Sequence, residues 1–170
     1  LIEYTPSTGK SKVIMDGLVF ANGVAVSHDQ ASVLVNETGN YRVLRYWLGG
    51  PRSGQVDIVI DNLPGFPDNI SAARNGGYYV GLASPRSSAV DKLADSPFLR
   101  KIVQRLPKLL RPQGQAYGHL IKISERGEIE LSLQDPTGAF PFTTGAIETD
   151  EELYISSLTA TAVGVLGLKE

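Results

Sequence analysis

Short apolar runs alternate along this chain with clusters of polar and turn-forming residues. Arg42–Trp47 shows the pattern most clearly, because Arg42 and Arg45 interrupt the apolar positions as expected for a strand with one exposed face. The Gly-Gly-Pro sequence at 49–51 ends that run. Successive runs predict a hairpin within residues 1–15 and then a four-stranded antiparallel sheet, with strands at 24–26, 32–36, 41–47 and 56–60.

The same succession of runs recurs twice further along the chain. The predicted strands of these two repeats lie at 70–73, 78–82, 118–123 and 129–133, and then at 146–148, 152–156 and 162–168. Val24 and Ile70 begin equivalent strands, and their separation is roughly the 40–45 residues of one β-propeller blade. The predicted fold class is therefore all-β. We expect about half of a six-bladed β-propeller, as a single partial domain over residues 1–170.

An insertion at 85–114 interrupts the second repeat. Within it, Phe98, Ile102 and Leu106 have the spacing of one helical face, and Pro107 is placed to end the helix. We therefore expect a helical insertion within the blade, at about 88–110. Three interpretations remain open: a helix packed on the propeller rim, a lid over the channel, or a contact with a membrane surface.

Charge and composition exclude several kinds of function. The net charge of −2 does not favour nucleic acid as a partner. The absence of cysteine excludes a disulfide scaffold, a thiolate nucleophile and a zinc–thiolate site. There is no signal peptide and no apolar run of about 18 residues. Since the chain begins at Leu1, we expect any targeting or membrane segment to belong to a preceding N-terminal part, and the compartment remains undefined.

Three oxygen-bearing side chains precede the predicted inner strands. Asn22 comes before one of these strands, and Asp68 and Asn69 come before the next. Calcium takes six to eight oxygen ligands from carboxylates, amides and carbonyls, so this set suits a calcium site. The alternative is that these residues only cap turns.

Four further residues are candidates for a pocket: Glu37, Ser84, His119 and Thr144. Glu37 forms either an ion pair with Arg42 or Arg45 or part of a polar site near the axis. Ser84 ends a strand where a pocket lip would form. His119 is either a base near the pocket mouth or a core or edge histidine. No Gly-x-Ser-x-Gly motif accompanies Ser84, so a serine hydrolase triad has no support.

The Asn-Leu-Pro-Gly-Phe-Pro-Asp-Asn-Ile run at 62–70 is the most specific motif of the chain. Supporting motifs lie at 20–27, 36–38, 42–47 and 76–81. Together they resemble the strictosidine synthase-like family of six-bladed β-propellers, in particular the adipocyte plasma membrane-associated protein type. The resemblance is to the C-terminal half of that fold, and it implies a relationship to paraoxonases and gluconolactonases.

The resemblance also implies roles for individual residues. It matches Asn22, Asp68 and Asn69 to calcium ligands of those lactonases, in which the metal polarises a lactone or ester carbonyl. The remaining family ligands and the histidine pair used as base lie in earlier blades. The resemblance places Thr143 or Thr144 where strictosidine synthases carry a catalytic glutamate. A threonine cannot perform the proton transfer of a carboxylate near neutral pH, which argues against that condensation.

We therefore expect a calcium-dependent hydrolase-like propeller that acts on a small ester or lactone, of the arylesterase or lactonase type. The alternative is a non-catalytic propeller used for binding or scaffolding, and a condensing synthase is the third and disfavoured possibility. The expected partners are a small-molecule substrate and either the remaining blades or a second copy, because an open half ring exposes sheet edges and blade faces.

Overall fold

The computed structural model describes residues 1–87, 105 and 114–168. These ranges contain thirteen strands and two short 3-10 helices, at Thr38–Asn40 and Gly50–Arg52. The strands are β1 (Ile2–Thr5), β2 (Lys10–Val13), β3 (Ala21–Val26), β4 (Ser32–Glu37), β5 (Arg42–Trp47), β6 (Val56–Ile60), β7 (Gly65–Ala72), β8 (Tyr78–Pro85), β9 (Gly118–Ile123), β10 (Ile129–Asp135), β11 (Thr143–Glu148), β12 (Glu152–Ser157) and β13 (Gly164–Gly167). The helical insertion expected at about 88–110 falls almost entirely outside the described ranges.

The strands form four antiparallel sheets in chain order. β1 and β2 make a hairpin, β3 to β6 the first blade, β7 to β10 the second blade, and β11 to β13 a three-stranded third blade. Each strand pairs with the next along the chain, so the connections within a blade are those of a meander. This all-β arrangement confirms the fold class predicted from the alternating pattern and its repeat.

The first strands of the three blades lie side by side. β7 contacts β3 on one side and β11 on the other, which makes these three the inner strands of a radial array. Glycines allow the close approach: a Cβ at Gly23 would lie 2.5 Å from the carbonyl oxygen of Asp68, and a Cβ at Gly81 would overlap the carbonyl group of Thr144. The backbones of neighbouring blades are therefore in direct contact near the axis.

Two apolar cores fill the spaces between adjacent blades. The larger lies between the first and second blades and includes Leu34, Val43, Val80 and Ile121, all fully or almost fully buried. The smaller joins the second and third blades, and Leu153 is one of its buried members. Fully burying each of these side chains contributes about 1.5–3 kcal/mol. Packing between blades, together with pairing within them, therefore holds the array together.

The outer faces of the two terminal blades carry exposed apolar side chains. Val24 and Ile58 lie at the two ends of one cross-strand row of the first blade, and each is 54% exposed, whereas Val35 and Leu44 between them are buried. Ile147 and Val165 lie in one row of the third blade and are 67% and 55% exposed. Such rows on two opposite sides of the array are typical of surfaces that bind another protein segment.

In the described part of the chain, no helix has both the length and the apolar character needed to cross a bilayer.

Candidate functional site

The candidate residues lie inside the inner strands, at irregularities in their pairing. The sequence placed Asn22, Asp68 and Asn69 just before these strands, and this placement was wrong. β3 already begins at Ala21, and β7 begins at Gly65. β7 can include Pro67 because it is the edge strand of its sheet, where a missing backbone donor is tolerated.

Each inner strand has a register shift at the candidate residue. Ala21 pairs with Glu37 and Val24 with Val35, so Asn22 and its neighbour bulge out of β3. A second shift in β7 falls between Pro67 and Ile70 and includes Asp68 and Asn69. A third, in β11, falls at Thr144. Because bulges redirect side chains and are frequent beside active sites, the three irregularities mark the axis as the candidate site.

Asn22 and Asp68 interact across the gap between the first two blades. Both residues are half-buried, and the Asn22 side chain lies close enough to the Asp68 carboxyl to lower its pKa. Burial raises the pKa of Asp68, and the Asn22 side chain acts in the opposite direction. The structure therefore brings together an amide from one blade and a partly desolvated carboxyl from the next.

Asn69 is the exposed member of the candidate set. Its Cβ would be 3.0 Å from a Cβ added to Gly145, so β7 and β11 are close at this level. The exposed carboxamide lies next to Asp68 in the chain and has no hydrogen bond among those that the structure gives for the described residues. The carboxamide is therefore accessible to a ligand.

Two buried side chains of the first blade hold the main chain beside Asp68. Nδ2 of Asn36 donates to the Asp68 carbonyl oxygen at 2.8 Å, and Oγ1 of Thr38 donates to the Pro67 carbonyl oxygen at 2.5 Å. Asn36 is completely buried, and its Oδ1 has no hydrogen-bond partner within the described part of the chain. Neither role was predicted from the sequence. The only signal was that Asn36 and Thr38 belong to a family motif.

Glu37 is a structural residue. Its carboxylate is fully buried and accepts from Arg42 Nε at 2.5 Å, from Val19 N at 2.7 Å and from Asn40 Nδ2 at 2.8 Å. Of the two interpretations that the sequence left open, the structure shows the ion pair with Arg42. Arg45 instead binds Glu125.

His119 lies two strands away from β7, although it lines a cleft together with Thr143 of β11. It belongs to β9, the third strand of its blade, so its backbone is about 9–10 Å from β7. Its Nε2 is 3.1 Å from Ser132 Oγ, and burial lowers its pKa. His119 is among the residues lining a 370 Å³ cleft between the second and third blades, whose other walls are mainly apolar. The structure does not bring it to the axial set.

Ser84 and Thr144 are not joined to the axial set by hydrogen bonds either. Ser84 is half-buried, and its Oγ has only a long contact of 3.4 Å to the neighbouring Pro85 carbonyl. Thr144 is buried, and its hydroxyl lies 2.6 Å from Ser156 Oγ within its own blade. In the ranges that the structure describes, neither hydroxyl contacts a histidine or a carboxylate that could activate it as a nucleophile.

The axial donors suit a hard cation. One carboxylate and two carboxamides offer only oxygen ligands, which calcium prefers and zinc does not. A bound cation would also offset the cost of burying the Asp68 carboxylate. Among the described residues, no group of three or more histidine, cysteine and acidic side chains could hold a metal, so any site depends on the amides. Three side chains supply at most half of a calcium shell, and water or other groups must supply the rest.

A second polar cluster joins the first two blades at the opposite end of the inner strands. Tyr78 is fully buried and its hydroxyl donates to Glu125 Oε1 at 2.7 Å, while Arg45 binds Oε2 of the same carboxylate at 3.0 Å. Burial and the neighbouring carboxylate raise the pKa of Tyr78, which therefore stays protonated as the donor. His28 also contacts this cluster through Gly77. These contacts fix the blades at the end remote from Asp68.

Known proteins of the strictosidine synthase-like type are similar to this chain over nearly its whole length. A family model described as strictosidine synthase matches residues 1–51. Adipocyte plasma membrane-associated protein from Bos taurus is 36% identical over 167 residues, which cover 94% of this chain and 40% of that protein. Strictosidine synthase-like 10 of Arabidopsis thaliana is 37% identical over 176 residues, covering 98% of this chain and 46% of that protein.

Solved structures share the fold at lower identity. A luciferin-regenerating enzyme superposes with a TM-score of 0.59 at 21% identity, covering 89% of this chain and 41% of that one. A gluconolactonase from Xanthomonas campestris superposes with a TM-score of 0.52 at 16% identity, and the match covers 98% of this chain and 49% of that one.

Three blades around adjacent inner strands, with polar bulges on the axis, define a partial β-propeller. The chain belongs to the strictosidine synthase-like family, which includes the adipocyte plasma membrane-associated proteins. It spans less than half the length of the curated relatives that it matches.

Proposed function

We propose that this chain forms part of a calcium-dependent hydrolase that acts on a small ester or lactone. The observation that carries the proposal is the contact between Asn22 and the half-buried Asp68 carboxyl, at facing bulges of adjacent inner strands. Asn69, exposed beside them, adds a third oxygen donor. If these residues only capped turns, their side chains would not need to meet between the blades, because each would act within its own strand.

Each of the three residues has a different role in such a site. Asp68 supplies the negative charge that binds the cation, and the Asn22 amide beside its carboxyl favours the charged form. Asn69 presents a carboxamide that can bind the cation or the substrate carbonyl. A bound calcium ion would polarise that carbonyl as a Lewis acid. The partial burial of Asp68 lowers the local dielectric constant, which strengthens its attraction for a cation.

The comparisons support the substrate class without defining it. The neighbour from Xanthomonas is named as a gluconolactonase, and a lactone is the kind of substrate proposed here. At 16% identity that likeness establishes the fold alone. The proposed activity belongs to a complete ring, since this chain offers only three of the oxygen ligands.

A non-catalytic binding propeller is the rival, and one observation favours it. In the described ranges, no imidazole and no second carboxylate contacts Asp68, so the axial set has no evident general base. A condensing synthase is a weaker candidate because the Thr144 hydroxyl is bound to Ser156 and lacks the acidity of a carboxyl.

Titration of the chelator-treated protein with calcium tests the proposal. We expect saturable binding by calorimetry and a rise in melting temperature, both lost in Asp68→Asn, which keeps the side-chain shape and removes the charge. Asp61→Asn is the matched control, because Asp61 is an exposed carboxylate and its replacement removes the same charge. The control should bind calcium like the wild type.

The outcomes separate the candidate functions. Absence of calcium binding to the wild type would exclude the metal-dependent hydrolase. Binding that is equal in both variants would place the metal elsewhere. Calcium binding at Asp68 without turnover of a panel of lactones and aryl esters by the complete protein would favour the binding propeller.

A further inference from the structure

Asn36 lies between the two bulges that carry the candidate site. In β4 it is the residue between Val35 and Glu37, whose partners in β3 are Val24 and Ala21. Asn22 and Gly23 therefore bulge directly opposite Asn36. Its Nδ2 reaches past them and donates to the carbonyl oxygen of Asp68 in the next blade.

The Oδ1 atom of Asn36 has no hydrogen-bond partner among the residues that the structure describes. The side chain is completely buried. Buried polar atoms are nearly always satisfied, so an exception calls for a bound water, an ion or a functional role.

We infer that Asn36 is a positioning residue of the axial site. It fixes the main chain of Asp68 opposite the Asn22 bulge, so that the two side chains meet in one arrangement, and its Oδ1 accepts a hydrogen bond from water bound at the site. The inference rests on the calcium-binding function proposed above. The inference adds Asn36, which lies in the second strand of its blade, to the candidate residues, which all lie in inner strands.

Thr38 provides the matched control. It donates from the same segment of the first blade to the carbonyl of Pro67, the residue before Asp68, and it is also buried. Thr38→Val removes that hydrogen bond while keeping the volume, and Asn36→Leu does the same for Asn36. Both variants lose one bond to β7, but only Asn36→Leu removes a group that faces the Asn22 bulge.

Calcium affinity and metal-free stability are measured for both variants. Asn36→Leu should weaken calcium binding by about 10-fold or more, as expected when the support of a ligand is lost. Its metal-free melting temperature should fall no further than that of Thr38→Val, since each variant loses one hydrogen bond to β7. Thr38→Val should keep calcium affinity within about threefold of the wild type. Equal losses of affinity in the two variants, or none in Asn36→Leu, would overturn the inference.

Hydrogen exchange of the metal-free protein separates this inference from the proposed function. Amides 68–70 should exchange about 10-fold faster in Asn36→Leu than in Thr38→Val, because local opening of the bulge is no longer restrained. If the wild type binds no calcium but this difference is found, the metal function fails and the positioning role stands. Equal exchange in both variants would refute the positioning role whether or not calcium binds.

Discussion

At the scale of single residues, the same stretch of β4 contains a structural acid and a site residue. The Glu37 carboxylate accepts three hydrogen bonds from nearby residues of the chain. The Asn36 side chain instead donates to the carbonyl oxygen of Asp68 in the next blade. Their side chains serve different ends because successive residues of a strand point to opposite faces. The sequence shows both as polar residues in one motif, and it cannot show which neighbour each of them contacts.

Replacing Glu37 should destabilise the protein strongly. Glu37→Gln removes the charge that compensates Arg42 and weakens two further hydrogen bonds in a fully buried position. We expect a loss of about 3 kcal/mol, measured by urea unfolding. Glu130→Gln is the control, because Glu130 pairs with Lys122 at 3.4 Å near the surface and should cost less than about 1 kcal/mol. Similar losses in both variants would contradict the structural role.

His119 should make the fold sensitive to acid. Its pKa is lowered by burial, so the unfolded chain binds the proton more readily than the folded protein does. The stability that neutral His119 contributes is present above the ordinary histidine pKa of about 6.5 and is lost as pH falls towards the lowered value. His119→Gln should therefore show a smaller drop in melting temperature between pH 8 and 5.5. Identical drops in the two proteins would show that His119 titrates normally.

At the scale of strands and blades, the sequence predicted the elements better than their pairing. Alternation at Arg42–Trp47 and the Gly-rich turns identified strands because each pattern depends on one strand and its two faces. The bulges could not be predicted, because a register shift depends on the partner strand. For the same reason Asp68 was placed before β7, although β7 begins three residues earlier.

Gly81 should be essential for packing the second blade against the third. A Cβ at this position would overlap the carbonyl group of Thr144, and backbone cannot move aside as a flexible side chain can. We expect Gly81→Ala to lower the free energy of unfolding by about 3 kcal/mol. Gly49→Ala is the control, because Gly49 is extended at φ −157° and nothing lies within 4 Å of the added carbon. That variant should stay within about 0.5 kcal/mol of the wild type.

At the scale of the whole molecule, the two apolar blade faces determine how the chain behaves in solution. Val24 and Ile58 on one side, and Ile147 and Val165 on the other, are exposed in rows. In a closed propeller each blade face packs on a neighbour, as it does in both cores seen here. We propose that further blades or a second copy cover these faces.

Sedimentation of the 170-residue chain tests this proposal. We expect a dimer or larger species, which the double substitution of Ile147 and Val165 by lysine shifts towards the monomer of 18.3 kDa. Leu158→Lys is the control, since Leu158 is 65% exposed and lies outside the strands. A compact and stable wild-type monomer would show that neither face needs a partner.

The bulges in β3, β7 and β11 carry the candidate residues, whereas other contacts hold the blades in place. Backbone contacts at Gly23 and Gly81 set the distance between blades, and these contacts involve no side chain of the candidate set. We therefore expect substitution of Asn22 or Asn69 to have little effect on the architecture. Proteins with this hub can diverge in their reactions through a few substitutions, while every strand stays in place.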